Sequence, residues 1–354
     1  MPIRVTNQDA LARPVLEMYE KAERAMMMNF SRRFAGMAAG RLSRAVMMAA
    51  GSSVSEEADR IVQELRALRI AATERAILNA YDSSMREAAE EIRQVQKIVK
   101  MPPGEDVQNR KADILEELTK RLDKSDNRLK RQYRKTYEDI VREVSGEAAD
   151  GGRLTQAIEK ALARLGDSGF QGFLDNTGRR WNHVSYAETA AVSALETAVI
   201  KGFMHMLETN NYDLVMIEGH YGGCPICTAW NGVVISISGA TGGYPTFEDA
   251  VAAGCFHPRC SHHLRLYREG SGDEIRIKPR KIEKPVSLYS KKQEQRRLEA
   301  EIRRWKRRAV VSITPMGERT AYAHVRYYQN EIRKFLKEND GMRRIRWREG
   351  LIKR

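Results

Sequence analysis

Cys224-Pro225-Ile226-Cys227 and, about thirty residues later, Cys255-Phe256-His257-Pro258-Arg259-Cys260-Ser261-His262-His263 hold every cysteine of the 354-residue chain. A C-x2-C pair followed by an H-x2-C pair is the ligand inventory of a closed tetrahedral zinc site. One short turn brings two thiolates to an ion, and a second turn supplies the other two ligands. Pro225 stiffens the first turn, and Pro258 biases His257 towards extended backbone. Cys224, Cys227 and Cys260 are the expected thiolate ligands, His257 the preferred fourth, and His262 its rival on spacing alone. His263 and Cys255 are weaker candidates; Cys255 ends a helix-like run, Phe247 to Ala253, where a small apolar filler suffices. Asn231-Gly232, between an aromatic residue and Val233-Val234-Ile235, predicts a type I′ turn, so that the first knuckle opens a small hairpin.

Several chemistries compete for these residues. A structural metal clip accounts for four cysteines in fewer than 40 residues of a chain otherwise free of them. Cys-Pro-x-Cys resembles a glutaredoxin-type centre, but that chemistry wants its first thiolate at a helix N-terminus after a strand. The sequence here reads as a Gly-containing turn and a β-branched run. Disulfides suit a secreted chain, whereas Met1 to Arg13 is polar and lacks an apolar signal segment. The His262-His263 doublet is similar to HNH-type nucleases, yet nothing downstream supplies the Asn and terminal His of such a site, and no paired carboxylates are expected nearby. Buried, unreactive thiols are the remaining reading. His183, His205, His220 and His324 read as ordinary surface or core residues.

Length allows two or three domains. Charged residues at 31% and aromatics at 7% suit long solvated helices better than one large core. No apolar run approaches the roughly 18 to 20 residues of a bilayer span, so no membrane span is expected. The net charge of +14 is uneven. Residues 271–354 hold 25 Lys/Arg against 11 Asp/Glu, an excess equal to that of the whole chain, and residues 1–270 are neutral. Attraction for DNA or another polyanion therefore belongs to the last 84 residues.

Residues 1–150 read as a helical bundle or coiled-coil arm. Leu11 to Met37 is one helix, with Met26, Met27 and Met28 as core filler. Ser53 with Glu56 predicts a capping box ahead of Ile61, Leu65, Leu68, Ala72 and Ala76 on one face. Met101-Pro102-Pro103-Gly104 breaks the pattern, and Leu115, Leu118, Leu122, Leu129, Tyr133, Ile140 and Val144 follow in near-heptad spacing. Gly146 to Gly152 marks a boundary. Residues 151–270 form an α+β domain: helices over Leu154 to Leu165 and Val184 to Leu207, a strand over Tyr212 to Glu218, a second short strand at Leu264 and Leu266, and the Cys/His clip. Residues 271–354 are a basic helical segment, with helices over Lys291 to Val310 and Arg319 to Glu338. Arg303, Arg304, Lys306, Arg307, Arg308, Arg343, Arg344 and Arg346 are the candidate nucleic-acid-binding residues. Trp305 and Trp347 lie within the same runs, where they could stack on bases or bury against the preceding domain. The fold class is thus mainly α with a small α+β zinc-stabilised middle domain, long N-terminal helices and a basic helical C-terminus.

These motifs together resemble the MuF-like phage head morphogenesis family of phage minor capsid proteins. The resemblance rests on Cys224-x2-Cys227, Asn231-Gly232-x-Val-x-Ser-x-Ser-Gly239, Tyr244-Pro245 and Gly254-x-x-His257-Pro258-x-Cys260-x-His262. Thr177-Gly178-Arg179-Arg180-Trp181, Tyr186-Ala187-Glu188-Thr189 and the basic stretch from Gln295 to Lys306 are similar to the family's flanking segments, so about residues 110 to 350 are covered. Ala-rich sequence near Thr189, Arg259 and Cys255 depart from the pattern. The resemblance implies a virion component, made in the host cytoplasm and held inside the capsid near the portal, without enzymatic activity. Its partners would be the portal protein, other head proteins and packaged double-stranded DNA bound non-specifically; Zn2+ would be its cofactor. Two alternatives stand beside it: an HNH-like metal-dependent nuclease acting on phage DNA, and a cytoplasmic zinc-stabilised DNA-binding protein.

Overall fold

The computed structural model describes residues 8–147, 154–174, 178, 180–219, 224–257, 260, 262–270, 272, 275–280 and 287–350. Among them are helices α1 (Gln8–Ala38), α2 (Arg44–Ala49), α3 (Gly51–Arg93), α4 (Gly104–Glu147), α5 (Leu154–Ser168), α6 (His183–Thr209), α7 (Pro225–Trp230), α8 (Phe247–Ala252), α9 (Ser287–Val311) and α10 (Pro315–Glu338). Strands β1 (Gln171–Leu174) and β2 (Arg180–Asn182) pair with each other. In a second sheet β3 (Leu214–Glu218) lies between β4 (Val234–Ser236) and β5 (His263–Leu266), all antiparallel. The chain is mainly helical with a small sheet, as its sequence predicts; the expected boundary at Gly146 to Gly152 lies largely outside the described residues.

The fold divides into two units, each discontinuous in sequence. The first comprises Met1–Pro14, Ala71–Arg121 and Glu188–Lys292; the second comprises Val15–Ile70, Leu122–Ala187 and Gln293–Arg354. Each draws on all three sequence regions.

Aromatic rings organise the second unit. Phe30 stacks on Tyr133 with ring centroids 4.6 Å apart and meets Phe170 edge-on at 5.8 Å, and the Tyr137 hydroxyl donates to the Met47 carbonyl at 3.0 Å. Met26 and Met27 are fully buried, as core filler should be, whereas Met28, expected with them, is only half-buried. Ile61 and Leu65 face the same interior, but Leu68, expected on that face, is 58% exposed. Arg69 takes the buried position instead, because Asp126 on α4 lies 2.6 Å from its guanidinium and Tyr19 donates its hydroxyl to the same carboxylate at 2.8 Å. The Ser53 capping box does not form. Helix α3 already starts at Gly51, and the Ser53 hydroxyl turns back to the Ala50 carbonyl at 3.0 Å; the side-chain cap in this region is Ser43 on α2.

Helix α9 is seated in the second unit by close approach. Gly166 lies against the Arg308 backbone, where a β-carbon would meet it at 2.9 Å. Asp167 receives two bonds from Arg308 at 2.5 Å each and one from Arg304 at 2.8 Å. Burial pushes the Asp167 carboxyl up, but these guanidinium bonds outweigh it and hold the group below the usual range. Thr314 caps α10, Pro315 opens it, and Leu298 and Ile302 of α9 pack against Val325 and Ile332 of α10.

In the first unit β3 is central, with Val215 opposite both Ile235 and Leu266. Asp213, just before it, accepts from Ser236 Oγ at 2.6 Å, Ser238 N at 2.9 Å and Thr241 N at 3.1 Å, which pins the loop after β4. Helix α6 is long and apolar enough to cross a membrane by composition, contrary to the sequence expectation, yet 61% of that window is buried inside the protein. Its Ala-rich faces belong to a packed core.

Candidate metal centre

Strand β3 runs towards the first knuckle. Cys224 is the N-cap of α7, its Sγ accepting from the Cys227 amide at 3.4 Å, with Pro225 in the first helical turn. The sequence premise that no helix follows the first thiolate is therefore corrected: six residues of α7 intervene before the turn. That turn is also not type I′. Asn231 has φ −62° and ψ 125°, Gly232 has φ 80°, and the Val233 amide donates to the Trp230 carbonyl at 3.0 Å, which is a type II turn. A type I′ turn joins two strands with positive φ at both central residues. Here one flank is a helix, and the Asn231 side chain is spent accepting from the Gly219 amide at 2.8 Å.

The second knuckle is bent into place by backbone of unusual sign. Gly254 has φ 93° and Phe256 has φ 55°, a left-handed conformation costly for an aromatic residue. Between them Cys255 turns inward and is buried. The Cys260 amide then donates to the His257 carbonyl at 2.9 Å, closing the H-x2-C turn.

The two knuckles converge. Cys224 Sγ lies 2.9 Å from His257 Nε2, Cys227 Sγ 3.4 Å from Cys260 Sγ, and Cys260 Sγ 3.6 Å from His262 Nδ1. Two donor triads result, Cys224/Cys227/His257 and Cys227/Cys260/His262, each with its donor atoms within 4.8 Å of one another and sharing Cys227. Zinc bonds of about 2.0 to 2.3 Å place tetrahedral ligand atoms roughly 3.3 to 3.8 Å apart. The Cys227–Cys260 and Cys260–His262 separations fall in that range, the Cys224–His257 separation is shorter, and each triad offers an ion three protein donors. No sulfur is bonded to another. The Cys224 thiol is held well below its usual range by bonding to Cys227 and His257, and Cys260 likewise by Cys227 and His262, in each case against burial. Cys227, hydrogen-bonded with Cys224, Cys255 and Cys260, is pushed up. Cys224 and Cys260 therefore ionise more readily than a free cysteine, as thiolate ligands of a cation must.

His262 is wedged against Gly219, where a β-carbon would lie 2.2 Å from its ring, and its Nε2 is buried without a hydrogen-bond partner among the described residues. His263 is drawn away from the cluster to Glu218, 3.7 Å distant.

The eight basic candidates of the C-terminus are placed unevenly. Arg304 and Arg308 bond Asp167, Arg307 donates to the Gly166 carbonyl at 2.9 Å, Lys306 to the Gly350 carbonyl at 2.8 Å, and Arg303 to the Arg348 carbonyl. Arg344 pairs with buried Glu349 at 2.8 Å, while Arg343 and Arg346 are exposed. Trp305 lies flat on His324 at 3.7 Å with the Arg308 guanidinium 4.6 Å from its ring, so it serves the packing of α9 on α10.

A family model described as phage minor capsid protein 2 matches residues 6–337. The chain belongs to this family. No curated protein and no solved structure matches it. The match agrees with the minor capsid resemblance read from the knuckles, and it makes this minor capsid protein a structural component of the phage head, located in the virion in association with other head proteins.

One part of this minor capsid protein's site escaped the sequence. A cavity beside the cluster is lined by Glu87 of α3 and Glu196 and Phe203 of α6 together with Cys260, His262 and His263. The sequence predicts no paired carboxylates nearby; Glu87 and Glu196, far from the knuckles in sequence, come to line this cavity through helix packing.

Proposed function

We propose that this minor capsid protein is a structural head component whose Cys/His cluster holds one zinc ion per chain. Cys224, Cys227, Cys260 and His257 would be the ligands, with His262 as alternate fourth. The observation that supports the reading is the approach of the two knuckles, from α7 and from the stretch before β5, whose donors form two triads that share Cys227. Zinc in such a site supplies a cross-link. It would tie the start of α7 to the entry of β5 and so fix both edges of the small sheet. Four protein ligands leave no open position for an activated water, which is why the reading is non-enzymatic. Within the particle the chain sits inside the head near the portal, with the portal protein as a partner. Its positive C-terminal region faces packaged duplex DNA without sequence preference, because the whole excess of charge lies there.

Protein purified without chelator is expected to contain one zinc per chain, and Cys227→Ser none. Structural zinc contributes on the order of 10 kcal/mol to folding. The variant should therefore lose hydrogen-exchange protection in β3, β4 and β5 while the aromatic core of the second unit keeps it. Zinc-free native protein, or a Cys224–Cys260 disulfide in place of the ion, would sink the assignment. A particle reconstruction with this chain away from the portal would overturn the placement.

A further inference from the structure

The basic residues favoured by sequence are largely spent on holding α9 in the second unit. Helix α10 is different. Its buried face is Ala321, Val325 and Ile332, flanked by Tyr328, Phe335 and Leu336. At 100° per residue, the opposite side of the helix carries Arg319, Ala323, Arg326, Asn330, Arg333 and Lys337, all exposed. Lys334 adjoins this line, and exposed Tyr322 and Tyr327 border it. Arg319, Arg326, Arg333 and Lys337 make no ion pair among the described residues. Arg319 and Arg333 donate Nε only to the carbonyl four residues back, at 3.2 and 3.0 Å. The carboxylates nearest in sequence lie off the line: Glu331 is paired with Lys334 at 2.9 Å, and Glu318 and Glu338 sit at the helix ends.

We infer that this face of α10 is the surface that docks on the phosphate backbone of double-stranded DNA, an assignment that rests on the DNA contact proposed above. Charge complementarity and geometry select the occupant. From Arg319 to Lys337 the helix rises about 27 Å at 1.5 Å per residue, which is roughly eight base-pair steps of 3.4 Å. Arginine and tyrosine side chains are the donors that phosphate oxygens take. A protein partner would want an apolar centre depleted of charge. The centre of this face is instead a line of cations separated by Ala323 and Asn330, with no aliphatic side chain larger than alanine.

The test compares three full-length proteins on a short blunt-ended DNA duplex across a salt series: the native chain, Arg319→Gln/Arg326→Gln/Arg333→Gln, and Lys124→Gln/Arg131→Gln/Lys135→Gln. The last removes the same charge from exposed positions of α4. The α10 variant is expected to bind at least about tenfold more weakly at low salt, with a slope of log K against log salt flatter by about 2.7, at roughly 0.9 for each phosphate no longer neutralised. The α4 variant should bind like the native chain. Circular dichroism and thermal unfolding matching the native chain establish that a loss is not misfolding. No binding by the native chain would remove both the proposed DNA contact and this surface. Native binding left unchanged by the α10 substitutions, or weakened equally by both sets, would overturn the surface and leave the DNA contact standing. Polyglutamate competing with DNA for the native chain at equal charge would reassign the face to an acidic protein partner.

Discussion

Asp126 is the residue on which the second unit's buried polar centre depends. Its carboxylate is fully buried between Arg69, Arg66 and the Tyr19 hydroxyl, and Arg69 itself is only 2% exposed. Removing one partner of a buried pair leaves the other charge without compensation. Asp126→Ala is therefore expected to cost about 3 to 5 kcal/mol in chemical denaturation, whereas replacing the pair with apolar residues should cost less. A loss under about 1 kcal/mol would show that Asp123 and Tyr19 suffice for Arg69. Gly219 is the corresponding residue of the first unit. Gly219→Ala would drive a methyl group into the His262 ring, and overpacking of this kind costs about 1 to 3 kcal/mol. Metal analysis on that variant also asks whether His262 takes part: zinc retained with lowered stability points to His257 as the fourth ligand.

Between elements, Glu91 joins α3 to β5. Its carboxylate accepts from the Leu266 amide at 2.7 Å. Burial raises it to about 7, opposed by that amide bond, with Glu87 and Glu218 adding to the rise and Arg265 countering it. The folded-state value lies above the unfolded 4.5, so the folded chain binds this proton more tightly. The stabilisation is present in full below about pH 4.5 and is lost as pH rises through about 7. Glu91→Gln keeps the acceptor and removes the proton equilibrium. It should flatten thermal stability between those pH values and raise it at pH 8. An unchanged pH profile would mean that Glu91 is solvated in the native state.

For the molecule as a whole, membership of a structural family and the proposed four-ligand zinc site lead to the expectation that the pure protein leaves supercoiled plasmid intact in the presence of Mg2+ or Zn2+. Cleavage abolished by His262→Ala with the fold retained would transfer the site to nuclease chemistry and give Glu87 and Glu196 a role in it. The legible part of this protein was what repeats or clusters along the chain. The helical spacing of Leu115, Leu118, Leu122, Leu129, Tyr133, Ile140 and Val144 announced α4, although Ile114 and not Leu115 is the residue buried there. The C-x2-C and H-x2-C pairs announced the donor set, because ligands on one short turn must be neighbours in sequence. Pro102-Pro103-Gly104 likewise marked where α4 begins, since proline cannot continue a helix. What only tertiary structure decided lies between distant segments. Arg69 replaced Leu68 at a buried position because Asp126 stands opposite it, Arg304 and Arg308 were drawn to Asp167, and Glu87 and Glu196 came to line a cavity with Cys260 and His262. The turn at Asn231-Gly232 went to type II because α7 precedes it. Sequence alone determined which residues could bind a cation or a polyanion; the fold determined which were already occupied, since a buried charge must be compensated by whatever group packing brings within reach.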